Sequence, residues 1–271
     1  MSDGLVVIGG GAMGGAIVAG LVADGRDAGR ITVAERSDAR RADLAARLGV
    51  QVSASNTAAA ANAGTVLLAV KPLDVPAVLD EIRPVLGVKA LVVSVCAGVS
   101  TAALEAHLNP GQPVVRVMPN TPAAIGAGMS VLSAGSHVDD SQLEIAVAVM
   151  AAVGKTVVVP ERLQDAATAV SGSGPAYLFY VAEAMTDAGV LLGLPRDVAR
   201  ELAVQTLFGS ASLLRESGES ATTLRERVCS PGGTTAAALR EFDREGLRSA
   251  VFAGMEACRN RSAAMGTERA G

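Results

Sequence analysis

The chain has 271 residues, half of them hydrophobic and 18% charged, with a net charge of −4. That supports one large domain or two ordinary ones around a substantial core, and the acidic balance without a long basic run argues against a nucleic-acid surface. Cys96, Cys229 and Cys258 are far apart and odd in number, which argues against a disulfide framework or a metal site and suits a reducing cytoplasm.

The apolar run Leu5-Val6-Val7-Ile8 leads into Gly9-Gly10-Gly11-Ala12-Met13-Gly14 and then a small-residue helical pattern. Strand, glycine turn and helix in this order, with glycines at 9, 11 and 14, fit G-x-G-x-x-G. The first glycine allows a tight turn, the second admits a pyrophosphate to the backbone, and the third lets helix pack on strand. Residues 5–23 carry no charge and are long enough to cross a bilayer. Three consecutive glycines would break such a helix at its start, and no basic residue precedes the run, so neither a membrane span nor a signal peptide is expected.

Further strands are expected at 31–34, 50–52, 65–70, 90–95, 113–117, 128–132 and 155–159, with helices near 12–24, 37–48, 74–82, 101–107 and 139–152. Runs such as Thr65–Val70 read as buried on both faces, so the alternation predicts a doubly wound, Rossmann-type α/β domain over residues 1–160. After Pro160 no strand pattern remains. Helical patterns follow at about 175–192, 196–217, 221–228, 232–244 and 247–265, with Pro175, Pro195 and Pro231 where helices should begin. Residues 161–271 are therefore expected to form an all-helical domain. Ala176–Leu194 carries only Glu183 and Asp187 as charges; a helix apolar on most faces must be covered, most easily by a second copy of the chain.

Five stretches carry candidate chemistry. The second strand ends at Glu35-Arg36: an acid there favours the ribose hydroxyls of NAD, an Arg the 2′-phosphate of NADP, and the sequence leaves NADPH and NADH both open. Ala69-Val70-Lys71-Pro72 closes the fourth strand at its carboxyl end, where such sheets bind ligands. Cys96-Ala97-Gly98 ends the fifth, with small residues against which a nicotinamide ring could lie; Cys96 itself reads as a buried apolar residue rather than a nucleophile. Met118-Pro119-Asn120-Thr121-Pro122 forms a stiff loop suited to shaping the nicotinamide pocket. Ser171-Gly172-Ser173-Gly174-Pro175 opens the first long helix, with Ser173 or Gly174 as its cap.

The sharpest signal is Ser230-Pro231-Gly232-Gly233-Thr234-Thr235. With Ser230 as N-cap and Pro231 as first helical residue, two glycines would fall in the first turn at about 1 kcal/mol each. A carboxylate pressed onto the exposed amides of the helix start gives a reason for them. Residues 161–271 contain no Lys and no His. A hydroxy-acid dehydrogenase needs a base such as these, and a β-hydroxyacid dehydrogenase a lysine in its helical half. Reduction of a protonated imine needs neither.

Taken together, Gly9–Gly14, Ala69–Pro72, Met118–Pro122, Ser171–Tyr177 and Ser230–Thr235 make the sequence resemble the pyrroline-5-carboxylate reductase family over nearly its whole length. The resemblance implies hydride transfer from NADPH or NADH to the C=N bond of 1-pyrroline-5-carboxylate, giving L-proline. It implies a substrate carboxylate on the amides of Gly233, Thr234 and Thr235, a Thr235 hydroxyl on the ring nitrogen, and Glu161 and Ser173 in the substrate pocket. It places the coenzyme on Gly9, Gly11, Ala12, Met13, Gly14, Glu35, Arg36, Asn56, Ala69, Val70, Lys71, Pro72, Cys96, Ala97 and Asn120. Glu35 departs from members with small or amide residues there, and Arg227 stands where some members have an Asn that touches the coenzyme. The resemblance further implies dimers through the helical domain, often arranged as a decamer, with each active site shared between two chains. An imine reductase or dehydrogenase for another small carboxylate, and a non-catalytic dinucleotide sensor, stay open at this point.

Overall fold

A computed structural model describes residues 4–268. Eight strands, β1 Leu5–Ile8, β2 Ile31–Ala34, β3 Gln51–Ser53, β4 Thr65–Leu68, β5 Leu91–Ser94, β6 Val114–Met118, β7 Gly128–Ala134 and β8 Gly154–Val158, form one sheet in the order β3-β2-β1-β4-β5-β6-β7-β8. The helices are α1 Ala12–Ala23, α2 Asp38–Leu48, α3 Asn56–Ala60, α4 Val75–Ile82, α5 Thr101–Ala106, α6 Asp140–Ala151, α7 Gln164–Ala167, α8 Gly174–Leu191, α9 Arg196–Ser217, α10 Ala221–Arg227, α11 Thr234–Arg244 and α12 Leu247–Glu268. Order reverses between β1 and β4, the switch point at which doubly wound sheets bind ligands.

The uninterrupted apolar strands serve two cores at once. Along β1, Leu5 and Val7 enter one buried cluster with Ile17, Leu21 and Val33, while Val6 and Ile8 enter the other with Leu79, Ile82 and Leu104. Period-two alternation with both faces covered produces a continuous hydrophobic run. All pairings are parallel except β6–β7. The connection from Pro119 to Ala127 is too short for a helical crossover, so β7 returns alongside β6 in the opposite sense.

The chain divides into two compact units. One runs up to Ser173 and takes in the stretch from Cys258 onward; the other is Gly174–Ala257. In the second unit α8 and α9 pack closely, and a Cβ on Gly189 would meet the Ala199 side chain at 2.9 Å. Yet only Thr186, Ala199 and Ala203 are buried there among the described residues, while Phe179, Leu191, Leu192 and Phe208 stand exposed. A helical unit with so little core leaves large apolar faces to be covered by something else. No helix among the described residues is long and apolar enough to cross a membrane.

Two expected helix starts differ. Pro195 precedes α9 as its N-cap rather than as its first residue. A π-helical turn, Thr168–Gly172, follows α7, and the Ser173 amide donates back to the Thr168 carbonyl at 2.9 Å. Ser173 therefore lies on a nearly continuous helical path and does not cap α8.

Candidate active site

The glycine loop is shaped by what each missing side chain would strike. Gly9 has φ +102°, and a Cβ on it would lie 2.6 Å from the Ala69 carbonyl oxygen. A Cβ on Gly14, in the first turn of α1, would lie 2.0 Å from the Gly9 carbonyl oxygen. Around Gly11 there is open space: nothing lies within 4 Å of an added Cβ. Gly11 caps α1 without a side-chain bond, and the amides of Ala12, Met13 and Gly14 have no acceptor among the described residues. Unpaired amides at a helix start facing open space suit a phosphate-bearing ligand.

Glu35, buried at the end of β2, bends back onto this loop. One carboxylate oxygen accepts the Gly10 amide at 3.0 Å, the other the Ser37 amide at 2.9 Å, and Arg40 approaches both at 3.4 Å. Burial pushes its pKa up, but the two amides and Arg40 outweigh it and hold the carboxyl below its ordinary value. Arg36 is exposed and reaches Asp74 at 3.7 Å.

At the other strand ends, Lys71 is exposed ahead of the short turn Pro72–Asp74, and the side-chain amide of Asn56 donates to Glu81 at 2.8 Å. Ala69, Val70 and Pro72 are half-buried and Ala97 is exposed. The Cys96 thiol is buried and donates to the Val70 carbonyl at 3.2 Å; burial pushes its pKa up, so it stays protonated. Asn120 acts as a bracket. Its amide nitrogen donates to the Ser171 carbonyl at 3.0 Å, and its oxygen accepts the Met129 amide at 2.8 Å. The Ser173 hydroxyl accepts from the Cys258 thiol at 3.3 Å.

Glu161 is gripped from two sides. Its carboxylate accepts the Thr101 amide at 2.7 Å, the Thr101 hydroxyl, and Arg116 at 3.1 Å. Burial raises its pKa, but the hydroxyl, the amide and Arg116 together lower it further. Sequence reasoning missed Thr101 and Arg116. The available signal was Arg116 itself, a lone charge inside Val114–Val117 that is only 8% exposed and demands a buried partner. Because Glu35 and Glu161 both titrate below the usual carboxylate value of about 4.3, their stabilisation is complete above that pH and is lost as pH falls through the lowered value. The unfolding temperature should hold from pH 7 to about pH 5 and decline below about pH 4.3. Glu161→Gln should lower it at neutral pH and flatten the acid decline. An unchanged acid slope in that variant would contradict the grip.

The start of α11 differs from its sequence reading. Ser230 is not the N-cap and Pro231 is not helical. Gly232, at φ +68°, stops any helix there, and Gly233 is the N-cap with Thr234 as first helical residue. The glycines thus carry no first-turn propensity cost; they make the turn ahead of the helix. The Gly233 amide is itself engaged, donating to the Ser230 carbonyl at 3.0 Å. The amides without an acceptor among the described residues are those of Thr234, Thr235 and Ala236, one position further on than expected. Arg227 pairs with Glu219, at 2.6 Å.

Residues 161–265 match the family described as pyrroline-5-carboxylate reductase dimerisation, and residues 4–98 that described as NADP oxidoreductase, coenzyme F420-dependent. Pyrroline-5-carboxylate reductase of Corynebacterium melassecola is 44% identical over 265 residues, covering 97% of this chain and 98% of the relative. The chain belongs to the pyrroline-5-carboxylate reductase family. A solved pyrroline-5-carboxylate reductase from Coxiella burnetii matches with a TM-score of 0.94 at 37% identity, over 98% of this chain and 99% of that one. That of Plasmodium falciparum, with NADP bound, matches with a TM-score of 0.85 at 29% identity, over 97% and 98%. The exposed apolar helices of the second unit fall within the dimerisation match, so the chain carries a surface for association with its own copies.

Proposed function

We infer that the chain reduces the C=N bond of 1-pyrroline-5-carboxylate with NADPH or NADH and releases L-proline, the last step of proline biosynthesis. One observation carries this reading at the site. The start of α11 offers three amides without acceptors among the described residues and a threonine hydroxyl, in a region with no lysine or histidine to serve as base.

The coenzyme supplies the hydride. Gly9, Gly11, Ala12, Met13 and Gly14 would hold its pyrophosphate, because the loop combines open space with amides that have no acceptor among the described residues. Glu35, Arg36, Asn56, Ala69, Val70, Lys71, Pro72, Cys96 and Ala97 would complete its binding, with Asn120 bracing the loop beside it. On the substrate side, Thr234 and Thr235 would offer the substrate carboxylate their amides, Gly233 shapes the turn that exposes them, and Glu161 and Ser173 are proposed as further substrate contacts. The Thr235 hydroxyl keeps the ring nitrogen in register. The ring enters as a protonated imine, so hydride adds to the imine carbon, which becomes C5 of proline, the π pair moves to nitrogen, and the proton is already there. No side chain need supply a proton, and positioning provides most of the rate. Residues 1–160 would serve the coenzyme and 161–271 the substrate and dimerisation.

The test is the product. Racemic pyrroline-5-carboxylate with NADPH or NADH should give L-proline, one molecule per coenzyme oxidised, by chiral chromatography. Coenzyme oxidation without proline would overturn the substrate assignment. We further propose dimers through the helical domain arranged as a decamer with each active site shared between two chains, and a cytoplasmic location. Sedimentation should then give about ten times the 27.2 kDa of one chain.

A further inference from the structure

We propose that Glu35 makes NADH, rather than NADPH, the preferred hydride donor of this chain, by fixing a carboxylate where the 2′-phosphate of NADPH would need a cation. This rests on the reductase reading above and deepens it. The sequence offers an acid and a base side by side at the end of β2; the geometry distinguishes them.

Glu35 cannot move aside easily. It is buried, and its two oxygens are tied to different backbone amides, Gly10 at 3.0 Å and Ser37 at 2.9 Å. Those amides leave further lone pairs on the carboxylate, which is how such an acid accepts ribose hydroxyls. A phosphate in the same place would bring acceptors to an acceptor and negative charge to negative charge.

The arginines nearby do not reverse this, because each is already matched by an acid. Arg40 lies 3.4 Å from Glu35, and Arg36 lies 3.7 Å from Asp74. Arg41 pairs with Asp38 and donates to the carbonyl oxygen of Arg36 at 3.0 Å. Arg36, Arg40 and Arg41 thus face Glu35, Asp38 and Asp74, and the cluster has no net positive charge for a phosphate that would carry nearly two negative ones. Recognition of a 2′-phosphate calls for a guanidinium fork free to bind it.

Binding and turnover test this separately. The chain is titrated by calorimetry with ADP-ribose and with 2′-phospho-ADP-ribose, and kcat/KM is measured for both coenzymes with pyrroline-5-carboxylate. ADP-ribose should bind at least about tenfold more tightly, and NADH should be favoured by a similar factor. Glu35→Gln and Glu35→Ser, each checked for a cooperative unfolding transition, should bring both ratios to parity or below. Equal or tighter binding of the phosphorylated ligand by the unaltered chain would overturn the proposal, even if neither variant folds. So would folded variants with unchanged ratios, or a loss of phosphorylated-ligand binding in Arg40→Ala that shows Arg40 released to hold it. Expected binding without turnover by either coenzyme would instead contradict the reductase reading and leave Glu35's discrimination standing.

Discussion

Thr235→Ala should lower kcat by about 10²-fold, while the affinity for coenzyme should stay within about twofold of the unaltered chain. The residue is half-buried at the second position of α11, and its hydroxyl has no partner among the described residues. Its loss therefore removes no bond that holds the fold together. What disappears is the proposed contact to the ring nitrogen, and a ring rotated or displaced by about 1 Å costs a factor of this size. Thr235→Ser keeps the hydroxyl and should recover most of the rate. Steady-state kinetics with pyrroline-5-carboxylate, with coenzyme affinity measured apart by fluorescence, provide the check. Unaltered kinetics in Thr235→Ala would remove the role from this residue.

The second large effect separates two glycines of the same loop. Gly14→Ala puts a methyl group 2.0 Å from the Gly9 carbonyl oxygen, so β1 and α1 must part. Overpacking against backbone costs about 1–3 kcal/mol or more, and this variant should melt at a markedly lower temperature or fail to fold. Gly11→Ala meets nothing within 4 Å and sits at φ −72°, which any residue adopts. Its stability should change by less than about 0.5 kcal/mol. Its coenzyme affinity should nonetheless fall about tenfold, or 1.4 kcal/mol, because the methyl group occupies the space the pyrophosphate needs. Thermal melts beside coenzyme titrations distinguish the two. Equal affinity in Gly11→Ala would argue that the pyrophosphate lies elsewhere.

The strands were legible because the physics behind them is local. A run such as Val66-Leu67-Leu68 has nowhere to go but a sheet covered on both faces, and all eight strands formed near the expected places. The antiparallel β6–β7 pair was not foreseen, although the short proline-containing connection between them is a reason for it. The start of α11 was misplaced by a few residues because helix propensity cannot tell a glycine inside a first turn from one that makes the turn before it. Only the positive φ of Gly232 separates the two. Contacts between residues distant in sequence were least legible. Glu161 could be named, but its hold on Thr101 and Arg116, 60 and 45 residues away, comes only from the fold. The same is true of Glu35 on Gly10, which turns an ambiguous Glu-Arg pair into a statement about coenzyme choice.

The central claim is that hydride passes from the nicotinamide to the imine carbon of the pyrroline ring, the carbon that becomes C5 of proline. It is tested most directly by supplying NADH and NADPH carrying deuterium at both hydrogens of nicotinamide C4, and examining the proline by mass spectrometry and NMR. The account predicts L-proline with one deuterium, at C5. Unlabelled proline, label at another carbon, or no proline with either coenzyme would contradict it.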